Sequence, residues 1–219
     1  MAQTSIDDLL ARARDPAPGG VRALCSEPIK WYGYRREMYV DARGNIVTGI
    51  GHRLADAGAA VALPWRHRST GRRASPSEIR LAFSQVRAQS FGHPAPAHQR
   101  ASYLVLPAGF AADLAAGWLE RTLVPALRRL FPGWDRYPLP AQRALVDMAW
   151  DLGPEGLALF HNLVAACARG DFAAAADHCH RRNAHSARNV STRNLFREAA
   201  GVVTCPFVGK NARLDGGGR

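Results

Sequence analysis

The segment from Trp31 to Leu54 constrains the fold most, because it reads as two strands joined by a tight turn. The stretches REMYV and NIVTGIGH are rich in β-branched and aromatic residues, and the turn sequence DARG lies between them. A hairpin of this size is only marginally stable alone in water. We therefore expect one small β-hairpin that is covered by helices.

Helical periodicity dominates the rest of the chain. A short first helix near residues 21–32, with Ser26 as its cap, is expected to end at Gly33. A capping box from Ser75 to Glu78 predicts a helix that runs to about Gln89. The predicted fold class is therefore α+β and mostly α-helical.

Apolar spacing from Pro107 onward predicts a series of amphipathic helices, with a possible kink at Pro125. One helix should stop at Gly153, the next should span 155–170, and Asp171 should cap a helix over 172–182. A last helix should end near Gly201. Arg188 and Arg193 are expected to hold this last helix in place.

These elements divide the chain into four predicted parts. The polar leader 1–20 is followed by an N-terminal lobe at 21–105 that contains the hairpin. A helical C-terminal lobe at 106–205 and a tail at 206–219 complete the chain. A Pro-rich connection at 91–102 precedes the second lobe. An α+β lobe beside a helical lobe is expected to leave a cleft between them.

The composition favours anionic partners. The net charge is +11, from 29 lysine and arginine residues against 18 acidic ones. Such a balance suits nucleic acid, anionic lipid or an acidic cell-wall polymer. Arginine and alanine are abundant along the whole chain, however, so a genome-wide bias explains the charge equally well.

Cysteine and histidine spacing predicts neither a disulfide framework nor a metal site. The four cysteines form no C-x-x-C pair, and Cys167 and Cys179 lie on apolar faces typical of buried thiols. His178 and His180 are two residues apart, so on a helix they point to different sides. We expect no metal and no cofactor.

Three blocks of the sequence, in this order, resemble the phage-type lysozymes of glycoside hydrolase family 24. They are MYVDARGNIVTGIGH in the hairpin, RALVDMAWDLG followed by GLALFHNL, and ARNVSTRNLF in the last helix. The resemblance covers roughly residues 21–200. It extends to bacterial members that include cell-wall-attacking effectors, and it implies a lysozyme-like fold of two lobes.

The resemblance implies a muramidase that acts on bacterial peptidoglycan. Family members hydrolyse the β-1,4 bond between N-acetylmuramic acid and N-acetylglucosamine with inversion. A glutamate protonates the leaving oxygen, an aspartate activates water, and a threonine helps to hold that water. Inversion requires two carboxyl groups roughly 6.5–9.5 Å apart.

This chain departs from the family pattern at two of these three positions. The aspartate is present as Asp41, but the glutamate position before Gly33 holds Tyr32. The threonine position holds Val47, and Thr48 follows one residue too late. A step of one residue on a strand turns the side chain to the other face. A phenol with a pKa near 10 is poorly suited to protonate a sugar oxygen.

Two other carboxylates can replace the missing acid if the backbone differs from that of the family. Glu27 lies more than a turn back on the first helix, and Glu37 lies on the first strand. The alternative is that both are surface charges. Asp41 also has an alternative role, because an aspartate at the start of a turn bonds its own backbone.

The predicted substrate-binding residues lie on the hairpin and at the rim of the C-terminal lobe. Gly49 and Gly51 suit a strand that another group approaches closely. His52 is expected to fix the hairpin by a hydrogen bond. Asp151 can line the cleft or serve as a cap. Together with Tyr39, these residues complete the candidate site.

Three functions compete at this point. The first is a working muramidase with a displaced acid. The second is a lysozyme-fold protein that has lost hydrolysis but binds peptidoglycan, or serves as a structural or delivery part of a phage tail or secretion system. The third, a nucleic-acid-binding domain, is disfavoured because no helix-turn-helix signature and no interleaving of aromatic and basic residues are present.

The chain is expected to be a monomer. No membrane span is expected, since the sequence contains no run of 18 apolar residues. Its first residues lack the charged and apolar regions of a Sec signal peptide. We therefore expect a cytoplasmic protein at synthesis. Action in the periplasm or cell wall would require delivery by a route other than Sec.

Overall fold

The structure is a computed structural model that describes four stretches of the chain: 21–41, 44–89, 102–107 and 109–201. The predicted leader 1–20 and tail 206–219 lie outside these stretches. Almost all of the Pro-rich connection 91–102 lies outside them as well.

Helices account for most of the described residues, as the sequence predicts. In chain order the α-helices are α1 (Ser26–Tyr32), α2 (Ala57–Val61), α3 (Pro76–Arg87), α4 (Phe110–Trp118), α5 (Val124–Leu130), α6 (Leu139–Ala158), α7 (His161–Ala168), α8 (Phe172–Asp177) and α9 (Ser186–Ala199). Short 3-10 helices span Val21–Cys25 and Trp134–Arg136, and a π-helix spans Leu119–Leu123. The α+β, mostly helical fold class is confirmed.

The predicted hairpin is present and belongs to a three-stranded antiparallel sheet. Its strands are β1 (Arg35–Val40), β2 (Ile46–Gly49) and β3 (His52–Arg53), in that spatial order. Tyr39 lies opposite Val47 in the β1–β2 pairing. This register decides which side chains share a face of the sheet.

The expectation of a single hairpin is wrong, because a second sheet is present. Strands β4 (Arg66–His67) and β5 (Leu104–Val105) pair antiparallel, and the sequence analysis predicted neither strand. Two-residue strands are too short to show alternating polarity, so no local pattern identifies them. The pairing also joins residues that lie far apart in the chain.

Buried apolar side chains form two clusters. One lies among the sheets and α3 and includes Met38, Val40, Leu54, Trp65, Phe83 and Leu104. The other lies among the later helices and includes Leu119, Leu127, Phe131, Leu145, Met148 and Phe196. Leu24, Ile29 and Ile50 belong to the second cluster although they precede it in sequence. The predicted buried thiols Cys167 and Cys179 are confirmed and lie there too.

Helix ends follow the predicted signals in most places. Gly33 ends α1, the Ser75–Glu78 capping box opens α3, and Asp171 caps α8 through a bond from Ala174 N. Cys25, not Ser26, occupies the cap position of α1. Gly153 adopts φ 75° and breaks the helical path of α6, as its predicted stop requires.

Two predicted helices are shorter than expected. The helix expected over 155–170 is interrupted at Phe160, whose ψ of 62° is not helical. The helix after Asp171 ends at Asp177 and does not reach residue 182. Beyond it Cys179 and Arg181 are both buried. The segment that holds them, between Asp177 and the start of α9 at Ser186, is not helical.

A π-helix interrupts the long helical run before α5. Leu119–Leu123 carries the π pattern, and Pro125 lies in the first turn of α5 just after it. The change of path is therefore upstream of the proline at which a kink was expected. Within the described residues, no helix combines the length and apolar character needed to cross a membrane.

Candidate functional site

One side of the hairpin gathers several of the predicted site residues around Tyr39. Burial raises the pKa of Tyr39 to about 12, although the guanidinium of Arg35 opposes the rise. The ionisable groups of Asp41, Tyr32 and Glu37 raise it further. These three groups therefore lie within electrostatic range of one phenol. Glu37 lies two residues before Tyr39 on β1, in a part of the strand where the pairing with β2 shifts register.

Asp41 closes the turn between β1 and β2. Its carboxylate accepts hydrogen bonds from the backbone N of Asn45 at 2.8 Å and from the side-chain Nδ2 of Asn45 at 3.0 Å. Its carbonyl oxygen accepts a bond from Gly44 N at 3.0 Å. These contacts match the turn role that the sequence allowed for Asp41. Its role as the base that activates water stays a prediction.

Tyr32 occupies the predicted acid position at the end of α1. Its hydroxyl donates a hydrogen bond of 3.2 Å to Oδ1 of Asp151, and the Cζ atom of Arg188 lies 4.8 Å from its ring centroid. Burial raises the pKa of Tyr32 above its usual value, Arg188 opposes this rise, and Asp151 adds to it. The phenol therefore keeps its proton at neutral pH and uses it in the bond to Asp151.

Other groups do approach Gly49 and Gly51 closely, as predicted, and these groups are side chains of the protein itself. A Cβ atom on Gly49 would lie 3.1 Å from the Cβ of Ala111. A Cβ atom on Gly51 would lie 2.8 Å from Cδ1 of Tyr32. The φ of Gly51 is +70°, in the left-handed region that other residues rarely adopt. Both glycines are thus explained by packing, and a contact with substrate stays a prediction.

The register of the hairpin separates Val47 from Thr48. Val47 lies opposite Tyr39 in the β1–β2 pairing, so these two side chains share a face of the sheet. Thr48 points to the other face and is fully buried. Its hydroxyl has no hydrogen-bond partner among the described residues. Thr48 therefore does not replace the threonine that the family pattern places at position 47.

His52 pairs with Thr48 through the backbone of β2 and β3. Burial lowers the pKa of its imidazole, so the ring is neutral at pH 7. The side-chain hydrogen bond predicted for His52 is not found among the described residues. The backbone pairing, rather than the imidazole, joins His52 to the hairpin.

The expectation that Glu27 and Glu37 are surface charges is wrong, because both are buried. Glu27 accepts a hydrogen bond of 2.6 Å from Nη2 of Arg143 and one of 3.3 Å from Oγ of Ser191. Glu37 has a looser ion pair, with Nη2 of Arg68 at 3.7 Å from Oε2. Burying a carboxylate is costly unless it is paired, which explains both arrangements. Of the two, only Glu37 lies beside Tyr39.

Asp151 belongs to a buried ionic network that includes Asp147, Arg181 and Arg188. Asp147 accepts bonds of 2.7 Å from Nη2 of Arg181 and from Nη2 of Arg188. Asp151 has longer ion pairs with the same two arginines, at 3.4 and 3.6 Å. Its side chain is only 7% exposed, so it is not an open residue at the rim of a cleft.

The network joins α6 to α9 and to the segment before α9. Thr192 completes it, because its hydroxyl lies 2.7 Å from Nη2 of Arg181 and 3.1 Å from Oδ2 of Asp147. Burial alone would lower the pKa of Arg188, but the hydrogen bond and charge of Asp147 raise it above its usual value. Arg188 therefore holds the last helix, as predicted.

Sequence reasoning missed Asp147 and Arg181, and only the first had a visible signal. Asp147 interrupts an apolar run of the sequence between Val146 and Met148, and it lies four residues before Asp151. Two acids at that spacing share a helix face and call for a cationic partner. Nothing local indicates that Arg181 supplies it, because 34 residues separate the pair.

Comparison of the chain with protein-family models finds no family that matches it, and comparison with curated proteins finds no match either.

Proposed function

We propose that this chain is a lysozyme-like protein that binds bacterial cell-wall peptidoglycan and hydrolyses it weakly or not at all. The proposal rests on the resemblance of the hairpin and the C-terminal helices to phage-type lysozymes. A structural or delivery role in a phage tail or secretion system is compatible with such a binder. The observation that supports weak or absent hydrolysis is the presence of Tyr32 at the predicted position of the acid.

Tyr32 supports weak hydrolysis for two reasons. Its hydroxyl is engaged with Asp151, and its pKa is raised by burial, so the phenol is a poor proton donor to a leaving sugar. Its ring also lies against Gly51, in space that a shorter acid would leave open. The residue at the acid position is thus part of the packing between α1, the turn that joins β2 to β3, and α6.

A working muramidase with a displaced acid is the second candidate. Glu37 favours it, because this buried carboxylate lies in the same neighbourhood as Asp41. The contact with Arg68 counts against it, because Nη2 of Arg68 lies 3.7 Å from Oε2 and already engages the carboxylate. Glu27 is a weaker candidate, because Arg143 and Ser191 hold both of its oxygens.

A co-sedimentation assay with purified sacculi tests the proposed function. We expect the protein to sediment with sacculi at low salt and less at high salt, because exposed charges are screened within about 10 Å at 0.1 M salt. A parallel turbidity assay should show little lysis beside an intact phage-type lysozyme. Binding to duplex DNA without binding to sacculi would instead support the nucleic-acid function.

A further inference from the structure

A pocket next to the second sheet contains none of the residues on which the proposed function rests. Its volume is about 360 Å³, within the range of about 300–1,000 Å³ that small-molecule sites occupy. Its lining combines apolar side chains with basic ones: Val61, Leu63, Pro76, Ile79, Arg72 and Arg73. A pocket of this kind suits a ligand that has both an apolar group and a negative charge.

Arg73 lies directly opposite Arg66 in a β-bridge. The two flanking backbone hydrogen bonds, of 2.8 and 2.9 Å, join the residues on either side of the pair. Arg66 and Arg73 are therefore a non-hydrogen-bonded pair, the position at which facing side chains come closest. Like charges directly opposite each other destabilise a sheet. An anion between or beside the two guanidinium groups would relieve this repulsion.

The neighbouring carboxylates do not neutralise this pair. Glu78 is taken by Arg72, whose Nη2 lies 2.6 Å from Oε1. Arg66 donates only to a neutral acceptor, the carbonyl oxygen of Gly71 at 2.9 Å. The side chain of Arg73 has no ion pair or hydrogen bond with any residue of the described stretches. Arg73 is thus an exposed cation at the edge of an apolar pocket.

We propose that this pocket binds the carboxylate of a peptide that carries a short apolar side chain next to it. Arg73, which lines the pocket, would hold the carboxylate in paired hydrogen bonds, and Arg66 opposite it would add positive charge nearby. Val61, Leu63 and Ile79 would cover the apolar side chain. Inorganic phosphate is an anion but has no apolar group to pack against the lining of the pocket. The lining therefore favours a carboxylate ligand with an apolar side chain over phosphate.

The source of this ligand rests on the proposed function. The peptide stems of peptidoglycan carry free carboxylates beside small alanine side chains. The pocket would then be a second contact with the cell wall, separate from the hairpin and its glycan-facing residues. It would add recognition of the stem peptide to recognition of the sugar chain.

An NMR titration of the isotope-labelled full chain with N-acetyl-D-alanyl-D-alanine tests the pocket directly. We expect saturable shifts within residues 61–79, and none with the C-terminal amide of the same dipeptide. Arg73→Ala should weaken binding by about tenfold or more, as expected for the loss of hydrogen bonds to a charged group. Arg73→Lys keeps the charge but loses the paired geometry, so its affinity should be intermediate.

Arg169→Ala is the matched control, because it removes one exposed arginine from the turn after α7. It should bind the dipeptide like the parent chain. Equal binding by Arg73→Ala, with an unchanged unfolding temperature, would overturn the proposal. Equal affinity for the amide, or equally tight competition by inorganic phosphate, would overturn it as well.

The test separates this inference from the proposed function. If the dipeptide binds but sacculi do not, the pocket remains and the cell-wall function fails. If sacculi bind equally to Arg73→Ala and the dipeptide shifts nothing, the pocket proposal fails and the cell-wall function remains.

Discussion

The hydroxyl of Tyr32 donates a hydrogen bond of 3.2 Å to Oδ1 of Asp151, which joins the end of α1 to α6 across 119 residues of sequence. The same carboxylate has ion pairs with Arg181 and Arg188. The position at which the resemblance predicts a catalytic acid is therefore connected to the buried ionic network of the C-terminal helices. Tyr32, the residue at this position, has Asp151 as its hydrogen-bond partner, and substitution of Tyr32 can test the importance of this bond.

Tyr32→Phe should lower the free energy of unfolding by about 1 kcal/mol, because one net hydrogen bond is lost while Asp151 keeps its arginines. Urea unfolding of the purified variant measures this change. Tyr39→Phe is the control, since Tyr39 has no hydrogen bond to Asp151. A Tyr32→Phe variant as stable as the parent chain would contradict the role given to the hydroxyl.

Asp147→Asn should cost about 3–5 kcal/mol of unfolding free energy, because it leaves buried arginine charge without its main counterion. Asp135→Asn removes the same charge from an exposed pair with Arg128, whose atoms are 2.7 Å apart. That control should change stability by less than about 1 kcal/mol. Similar effects of the two substitutions in urea unfolding would refute the importance of burial here.

The double variant Tyr32→Glu with Val47→Thr should increase cell-wall lysis, because it restores both altered family positions. General acid catalysis contributes about 100- to 10,000-fold, so a correctly placed acid should be obvious in a turbidity assay. Adding Asp41→Asn should abolish the gain, since an amide does not accept a proton from water. A folded double variant that binds sacculi but stays inactive would mean that the residue mapping is wrong.

Glu37→Gln distinguishes the two candidate functions. If the chain is mainly a binder, the substitution should leave both sacculus binding and the weak lysis unchanged. If Glu37 is a displaced acid, lysis should fall by about 100-fold or more while binding persists. Glu27→Gln is the companion variant, because it neutralises the other buried carboxylate. It should lower stability through the ion pair with Arg143 without a specific effect on lysis.

Stability should fall on acidification because of His52. Burial lowers the pKa of its imidazole in the folded chain, so the unfolded chain binds a proton first as the pH drops below about 6.5. The contribution of His52 is complete above that pH and decreases as the pH falls towards the lowered folded-state pKa. His52→Asn should flatten this part of the curve in urea unfolding between pH 7.5 and 5.5. An unchanged dependence of unfolding free energy on pH would contradict the role assigned to His52.

Local signals explain which parts of the fold the sequence predicts well. The hairpin, the capping box at Ser75, the cap at Asp171 and the stop at Gly153 all depend on residues within a few positions of one another. The second sheet depends on Arg66 pairing with Val105, far along the chain. Such a pairing is set by tertiary packing, which short-range patterns do not encode.

The same distinction between local and long-range signals applies to the residues of the candidate site. Alternation along the strands correctly separates Thr48 from the face of Tyr39, because it follows from strand geometry alone. The burial of Glu27 and Glu37 could not be predicted, since it depends on arginines that come from other elements. The residues around a glutamate in the sequence do not show whether an arginine from a distant part of the chain will pair with it in the core.

The contact between Tyr32 and Gly51 restricts the order in which this chain can mutate. Any side chain at residue 51 meets the Tyr32 ring and an unfavourable backbone conformation together. A smaller residue at position 32 removes the first obstacle, whereas no change at position 51 removes the second. Gly51 must therefore be kept whichever residue stands at position 32. A screen that randomises residue 51 alone will recover glycine.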